Sequence, residues 1–383
     1  MTDDDGRVVE LPTELVREVV SWLPASTLLR CSRSLASLNR MILDPHFVNL
    51  FQSRNSTLCT TILGFCCDKV GFLLEYHHND NDKKHSVFAH ELDMDPPCFS
   101  QDNNTNSTAL NVHEAVNSCN GWVLIRSKYS VDEFDVLYTD SLHLVNPVIR
   151  RCFTIPCETG LWFDDNHKPE YVLGYGPKTG RYKLVRIVNR VFDVFDVALD
   201  GNNSENSWRR INDFDYNQYD LVGDPVMLNG GMHWLLAKVK SILRFDIDKE
   251  KFDLLPTPLF TKHMCIDSLY VMGGLLYIGA YNYKFMDFSL GLVIWVMKED
   301  SSTWSCVSVI RDFCHFEHLE IVQVFDGGKK MLMMSHSKKN LQLYDRETGE
   351  RTTLIMRGIN PKMRKRMTFL RFDPSFLSLN NKI

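Results

Sequence analysis

The residues able to do chemistry are scattered along the chain, and the spacing of each group limits what it could do. His77, His78, Asp80, Asp82 and His85 fall within nine positions, close enough to chelate a divalent metal. The same stretch also reads as a solvated polar turn between two strands. Asp213-Phe214-Asp215-Tyr216-Asn217 opens like a calcium loop but lacks the glycine and the closing glutamate that complete one. Gly174-Tyr175-Gly176-Pro177-Lys178-Thr179-Gly180 has the glycines and lysine of a phosphate loop. It lacks the Gly-Lys-Ser/Thr order, and no apolar helix follows, so a hairpin turn is expected. Lys362, Arg364, Lys365 and Arg366 could form a nuclear signal or a local anion patch, or the charged edge of a strand. Among eleven cysteines the closest pairs are Cys66-Cys67 and Cys152/Cys157, and neither is followed by a second pair at finger spacing. Sequence position assembles no Ser/His/Asp or Cys/His set. The expectation is no catalytic residue, no metal site and no cofactor.

Composition narrows the class. The chain has 383 residues, 44% hydrophobic and 24% charged, which is globular and too long for one ordinary core. A net charge of −5 gives no global basic field, so neither nucleic acid nor an anionic membrane is an expected partner. The start, Met1-Thr2-Asp3-Asp4-Asp5, is acidic and reads as no secretory signal, and apolar runs such as Leu292 to Met297 are far short of a membrane span. Reduced thiols in a cytoplasmic or nuclear compartment are therefore expected.

Two patterns divide the chain near residue 55. Before it the period is helical. Pro12 suits the first turn of a helix carrying Leu15, Val16, Val19, Val20 and Leu23 on one face, and Pro24 ends it. Ser26 is expected to cap a second helix with Leu28, Leu29 and Cys31. A third stretch should turn Leu35, Leu38, Met41 and Ile42 inward, and Asp44-Pro45 reads as the cap and first turn of a last helix with Phe47, Val48 and Phe51. So few short helices make an undersized core, stable mainly when something else covers its apolar side.

After residue 57 the chain reads as strands separated by polar turns. Alternating strands end in Asn146, Asp200, Asp246, Lys298 and Asp345, at steps of 54, 46, 52 and 47 residues, and each is followed by a turn and a second strand, such as Arg351 to Ile355. A glycine turn into an apolar strand precedes most of these hairpins, as at Asn120-Gly121, Asn229-Gly230, Gly273-Gly274 and Gly327-Gly328. Four strands in about 50 residues is the period of a kelch-sized propeller blade, and such blades must stack in a ring. Residues 58–98, with Thr60 to Phe65 and Phe72 to Tyr76, should supply a sixth blade, completed by Thr368 to Phe372. Pro96 to Thr108 and Asn79 to Lys84 read as polar insertions on the ring. Trp208, Trp295 and Trp304 are either recognition anchors or packing between blades, with packing favoured.

The first segment resembles an F-box through Leu11-Pro12, Leu15, Val19, Leu23-Pro24, Leu28-Leu29-Arg30, Ile42 and Asp44-Pro45-His46-Phe47. The remainder resembles the plant F-box-associated domain of the S-locus F-box and F-box/kelch type. The matches are Ser118-Cys119-Asn120-Gly121, Val145-Asn146-Pro147, Gly174-Tyr175 with Tyr182 to Val185, Asn229 to Trp234, Phe245-Asp246 with Phe252 and Leu255-Pro256, and Pro374 to Leu377. The resemblance implies a small all-α F-box at 7–53 followed by an all-β, kelch-like, six-bladed propeller at 58–380. It implies a non-catalytic substrate receptor of an SCF-type ubiquitin ligase. The F-box would dock on a Skp-like adaptor, and through it a cullin scaffold, while the propeller binds an unidentified target protein. Leu11, Pro12, Leu15, Val19, Leu23, Pro24, Leu28, Leu29 and Leu38 are the expected adaptor-binding residues, several of them serving the helical core as well. Family members usually carry tryptophan where Leu38 stands and valine where Ser34 stands. The smaller Leu38 implies weaker adaptor affinity. The alternative reading is an interaction propeller with a degenerate F-box and no ligase role. A third, a propeller glycan hydrolase or copper oxidase, needs carboxylates or Cys/Tyr/His ligands converging on the central channel.

Overall fold

The computed structural model describes residues 11–55, 61–66, 70–79, 84–93, 110–130, 141–155, 169–188, 191–198, 207–211, 221–236, 240–260, 263–283, 290–298, 303–310, 319–325 and 329–372. Four short helices come first: α1 (Thr13–Val20), α2 (Ala25–Ser34), α3 (Ala36–Ile42) and α4 (Pro45–Asn55). Asp44 caps α4 as expected, its Oδ1 accepting from His46 N at 2.9 Å and Phe47 N at 3.2 Å. Two expectations need correction. Helix α2 begins at Ala25 behind Pro24, so Ser26 lies inside it and is not its cap. Leu35 precedes α3 in extended backbone and is exposed, because a residue outside the helix does not follow its inward period.

The rest is a ring of six sheets, each expected unit being one blade of four antiparallel strands. The first blade takes β1 (Thr61–Cys66), β2 (Val70–Asn79) and β3 (Lys84–Asp93) from the front of the chain. Four blades follow. They are β4 (Leu110–Cys119), β5 (Trp122–Ser130), β6 (Ser141–Asn146) and β7 (Arg151–Ile155); then β8 (Glu170–Gly176), β9 (Arg181–Val188), β10 (Val191–Val197) and β11 (Arg209–Ile211); then β12 (Leu221–Leu228), β13 (Gly231–Leu236), β14 (Ser241–Asp246) and β15 (Lys251–Pro256); then β16 (Met264–Met272), β17 (Leu275–Tyr283), β18 (Leu290–Met297) and β19 (Trp304–Ile310). The sixth blade is β20 (Leu319–Phe325), β21 (Lys330–Ser335), β22 (Asn340–Asp345) and β23 (Arg351–Thr353). The chain then returns to the first blade through β24 (Met356–Arg357), the helical turn α5 (Pro361–Arg364) and β25 (Met367–Phe372). Strand β25 pairs antiparallel with β1, so the two ends of the chain close the ring as expected. The strand expected over Arg351 to Ile355 is shorter: it ends at Thr353, and β24 instead adds parallel to the outer edge of β3, making that sheet five-stranded.

The sequence marks have physical causes. Asn120-Gly121, Asn229-Gly230 and Gly273-Gly274 all have positive φ at both positions, the two-residue turn that matches strand twist and that only Asn and Gly enter cheaply. Asn146, Asp246 and Asp345 head the turns after the third strands. Asn146 Oδ1 accepts from Val148 N and Ile149 N, Asp246 Oδ1 from Lys249 N, and Asp345 Oδ1 from Glu347 N and Thr348 N. Lys298 lacks such an acceptor, and Asp200 lies outside the described residues. The inner strands meet neighbours around the axis, β25 beside β4, β4 beside β8, β12 beside β16 and β16 beside β20. Their edge groups are tied across blades. Asn117 exchanges two 3.0 Å hydrogen bonds with the backbone of Leu173, Ser118 Oγ donates to Arg371 O, and Tyr270 OH donates to Leu319 O at 3.1 Å. Apolar cores lie between neighbouring blades, as stacking requires.

The tryptophans pack. Trp208 meets Phe195 and Tyr171 under the Arg186 guanidinium, Trp295 meets Phe260 edge-on at 5.2 Å, and Trp304 Nε1 donates to Pro256 O. Cys31, Cys66, Cys119, Cys265 and Cys306 take no part in disulfides. Cys152 is disulfide-bonded, so the expectation of reduced thiols fails at that residue.

His233, buried on β13, carries a stability prediction. Burial, with the Arg244 guanidinium alongside, pushes its imidazole down to about 4. The unfolded chain takes up a proton below its ordinary value of 6.5 that the folded chain refuses until about 4. Folding stability should therefore fall by about 1.4 kcal/mol per pH unit across that window from this group, roughly 3 kcal/mol in all. Denaturant unfolding from pH 7 to pH 4.5 checks this: His233→Gln should flatten that slope, and an unchanged slope would show that the group is not the cause.

Candidate functional site

The helical segment has two sides. On one, Ala25, Leu28, Leu38, Ile42, Phe47, Val48 and Phe51 are buried in a cluster continuous with Leu63, Phe65 and Leu73 of the first blade and Val123, Ile125 and Val145 of the second. The ring supplies the cover that so small a helical core needs. Two placements fix which face of the ring carries it. Thr61 lies at the end of β1 that pairs with Phe372, the end where the other blades turn from first to second strand. Val148, in the same cluster, sits in the turn between β6 and β7 on that face.

On the other side an apolar row is open. Leu11, Leu15 and Val19 recur every four residues along α1 and its lead-in and are 61%, 53% and 65% exposed. Trp22, three residues beyond Val19, extends the row and is exposed, and Leu35 and Leu43 at the two ends of α3 are exposed as well. Single exposed leucines are ordinary, but Leu11, Leu15, Val19 and Trp22 along one face of a single short helix and its flanks are a patch. Arg54 holds the row in place from α4. Its guanidinium donates to Glu18 O at 2.9 Å, to Ser21 Oγ and to the Glu18 carboxylate, and it lies 4.6 Å from the centre of the Trp22 ring.

The nine expected residues therefore separate. Leu11, Pro12, Leu15 and Val19 are on the open row, Leu23, Pro24 and Leu29 are half-buried at its margin, and Leu28 and Leu38 are in the core. Trp22 is absent from that set. Trp22 stood in plain sight between Ser21 and Leu23, and its size was the available signal.

The metal and phosphate candidates of the sequence are not realised among the described residues. No group of three or more His, Cys, Asp or Glu there could hold a metal ion, and no helix is long and apolar enough to cross a membrane. Asp80, Asp82 and Asp213 to Asn217 lie outside the described residues, as do the side chains of His77, His78 and His85. The loop that mimics a phosphate site is a four-residue turn already filled. The Asp248 carboxylate, from the neighbouring blade, accepts from Lys178 N at 3.1 Å, Thr179 N at 2.9 Å and Thr179 Oγ at 2.7 Å. Beside it Glu250 accepts from Lys183 and Arg209. Partial burial pushes the Glu250 carboxyl up, but those two cations outweigh it and hold the group below the usual carboxylate range. This pair of acids clasps two blades together and leaves no vacant anion site.

Comparison with known proteins agrees with the ring. Residues 65–375 match the family described as F-box associated beta propeller domain. The chain is 24% identical to F-box protein At4g19940 of Arabidopsis thaliana, over 92% of this chain and 87% of that protein. It is 22% identical to F-box protein CPR1 of the same plant, over 90% and 84%. It is 24% identical to F-box/LRR-repeat/kelch-repeat protein At2g27520, also of that plant, over 65% and 61%. A propeller of this closure, matched over most of its length, places the chain in the F-box associated β-propeller family, among the plant F-box proteins.

Proposed function

We propose that the chain is the non-catalytic substrate receptor of an SCF-type ubiquitin ligase. Residues 7–53 act as its F-box and 58–380 as its target-binding propeller. The observation that carries this is the open apolar row of Leu11, Leu15, Val19 and Trp22 on helices whose other side is sealed into the ring. Such a row fits helix-in-groove recognition by a Skp-like adaptor, which in turn joins a cullin scaffold. The receptor performs no bond chemistry. It raises the concentration of the target beside the ubiquitin-carrying enzymes, and the rigid ring fixes where the target sits.

The smaller Leu38 bears on the alternative of a degenerate F-box. Leu38 is buried in the helical core, so its size acts on packing more than on the open row, which supports the ligase reading. Co-expression of the full chain with a Skp-like adaptor and a cullin tests it. The proposal expects one stable complex on size exclusion. Full chain that elutes alone, folded and without adaptor, would favour the degenerate reading.

A further inference from the structure

The run Lys362 to Arg366 is not the strand edge considered above. Asn360 Oδ1 accepts from Lys362 N at 2.9 Å, and Pro361 takes the first helical position, so the chain forms the single turn α5 before β25. Met363 packs into the apolar cluster between the sixth and first blades, which leaves Lys362, Lys365 and Arg366 exposed and Arg364 half-buried. Strand β25 begins at Met367, opposite Cys66, so α5 lies at the end of the first blade remote from Thr61. On the adjoining sixth blade the turn between β21 and β22 carries Lys338 and Lys339 at the same end. Met334 and Leu341, flanking that turn, belong to the cluster that holds Met363, which brings the two basic groups side by side. Six cations thus gather on the face of the ring away from the helical segment, on a chain whose net charge is −5. Carboxylate residues near the same end in register are Glu320, engaged by His336 at 3.2 Å, and, on β3, Glu91 and Asp93, the last two paired with Phe72 and Val70.

We infer that this α5 patch is the docking surface for an acidic segment of the recruited target protein. The inference rests on the receptor reading and deepens it. The adaptor-facing helices occupy one face of the ring, and the patch lies on the other, where a bound target meets no steric conflict. A local patch suits a short acidic peptide. A nucleic acid, charged at every phosphate, would run on from it over a surface of net negative charge.

The test uses full-length chain and a fluorescein-labelled peptide of about 15 residues rich in Glu and Asp, read by anisotropy at low salt. Binding is expected, weakened about tenfold or more by K362E/K365E. Arg181→Glu with Lys251→Glu changes net charge equally on the helix-bearing face and should leave binding within about twofold. Equal loss in both variants, no loss in either, or no peptide binding would overturn the inference. Tighter binding to single-stranded DNA or to phosphatidylserine vesicles than to the peptide would overturn it too. Adaptor capture by K362E/K365E should be unchanged. Loss of peptide binding with capture retained strikes nothing in the receptor reading. Failure of capture by the wild type, with peptide selectivity intact, strikes that reading and leaves the patch standing.

Discussion

Replacing Leu15 and Val19 together by aspartate is expected to abolish capture of a Skp-like adaptor while leaving the chain folded. Both side chains are more than half exposed, and neither belongs to the core shared with the ring, so the native state loses little when they become polar. In the complex each would be buried against the partner. Burial of an aliphatic side chain of this size contributes about 1.5–3 kcal/mol, and an aspartate in its place adds an uncompensated charge. The pair should therefore weaken binding by at least about 4 kcal/mol, close to a thousandfold in dissociation constant. Titration calorimetry with the adaptor measures the loss, and thermal unfolding measures the unchanged fold. Leu28→Asp gives the contrast. Leu28 is fully buried in the joint core, so that variant should fail by unfolding and separate a structural residue from a contact residue.

The second large effect is expected from ring closure. Ending the chain after Arg366 removes β25, the inner strand of the first blade and the antiparallel partner of β1. Met367, Phe369 and Phe372 leave with it, all of them buried. Loss of each such side chain costs about 3–5 kcal/mol, so the truncation removes roughly 10 kcal/mol, comparable to the whole stability of a domain. The truncated chain should lose its cooperative thermal transition and aggregate. The milder Phe369→Ala should keep the transition and lower stability by about 3–5 kcal/mol. A truncated chain that melts like the full one would show that β25 does not close the ring.

Much of the fold was legible because its devices are local. Asn-Gly and Gly-Gly turns, and Asn146, Asp246 and Asp345 heading the following turns, recur at blade spacing because each blade needs the same two tight reversals. The closing strand could be read from its alternation. What escaped depends on pieces distant in sequence. Strand β24 is two residues long and exists only because β3 offers an edge. The turn α5 did carry a local signal, Asn360-Pro361, which the run of positive charge obscured. The phosphate-like loop could be settled only once folding brought Asp248 to it from another blade. The helical segment divides for the same reason. Leu15 and Leu28 are both apolar residues at helical spacing, and only the position of the ring decides that one faces out and the other in.

The central claim is that one side of the helical segment belongs to the ring and the other awaits a partner. Amide hydrogen exchange on the full chain, with and without a Skp-like adaptor, tests it most directly. The account predicts slow exchange in α4 from Phe47 to Phe51 in both states, and strong slowing in α1 from Leu15 to Leu23 only when adaptor is present. Protection of α1 before the adaptor is added, or none after it, would contradict the account.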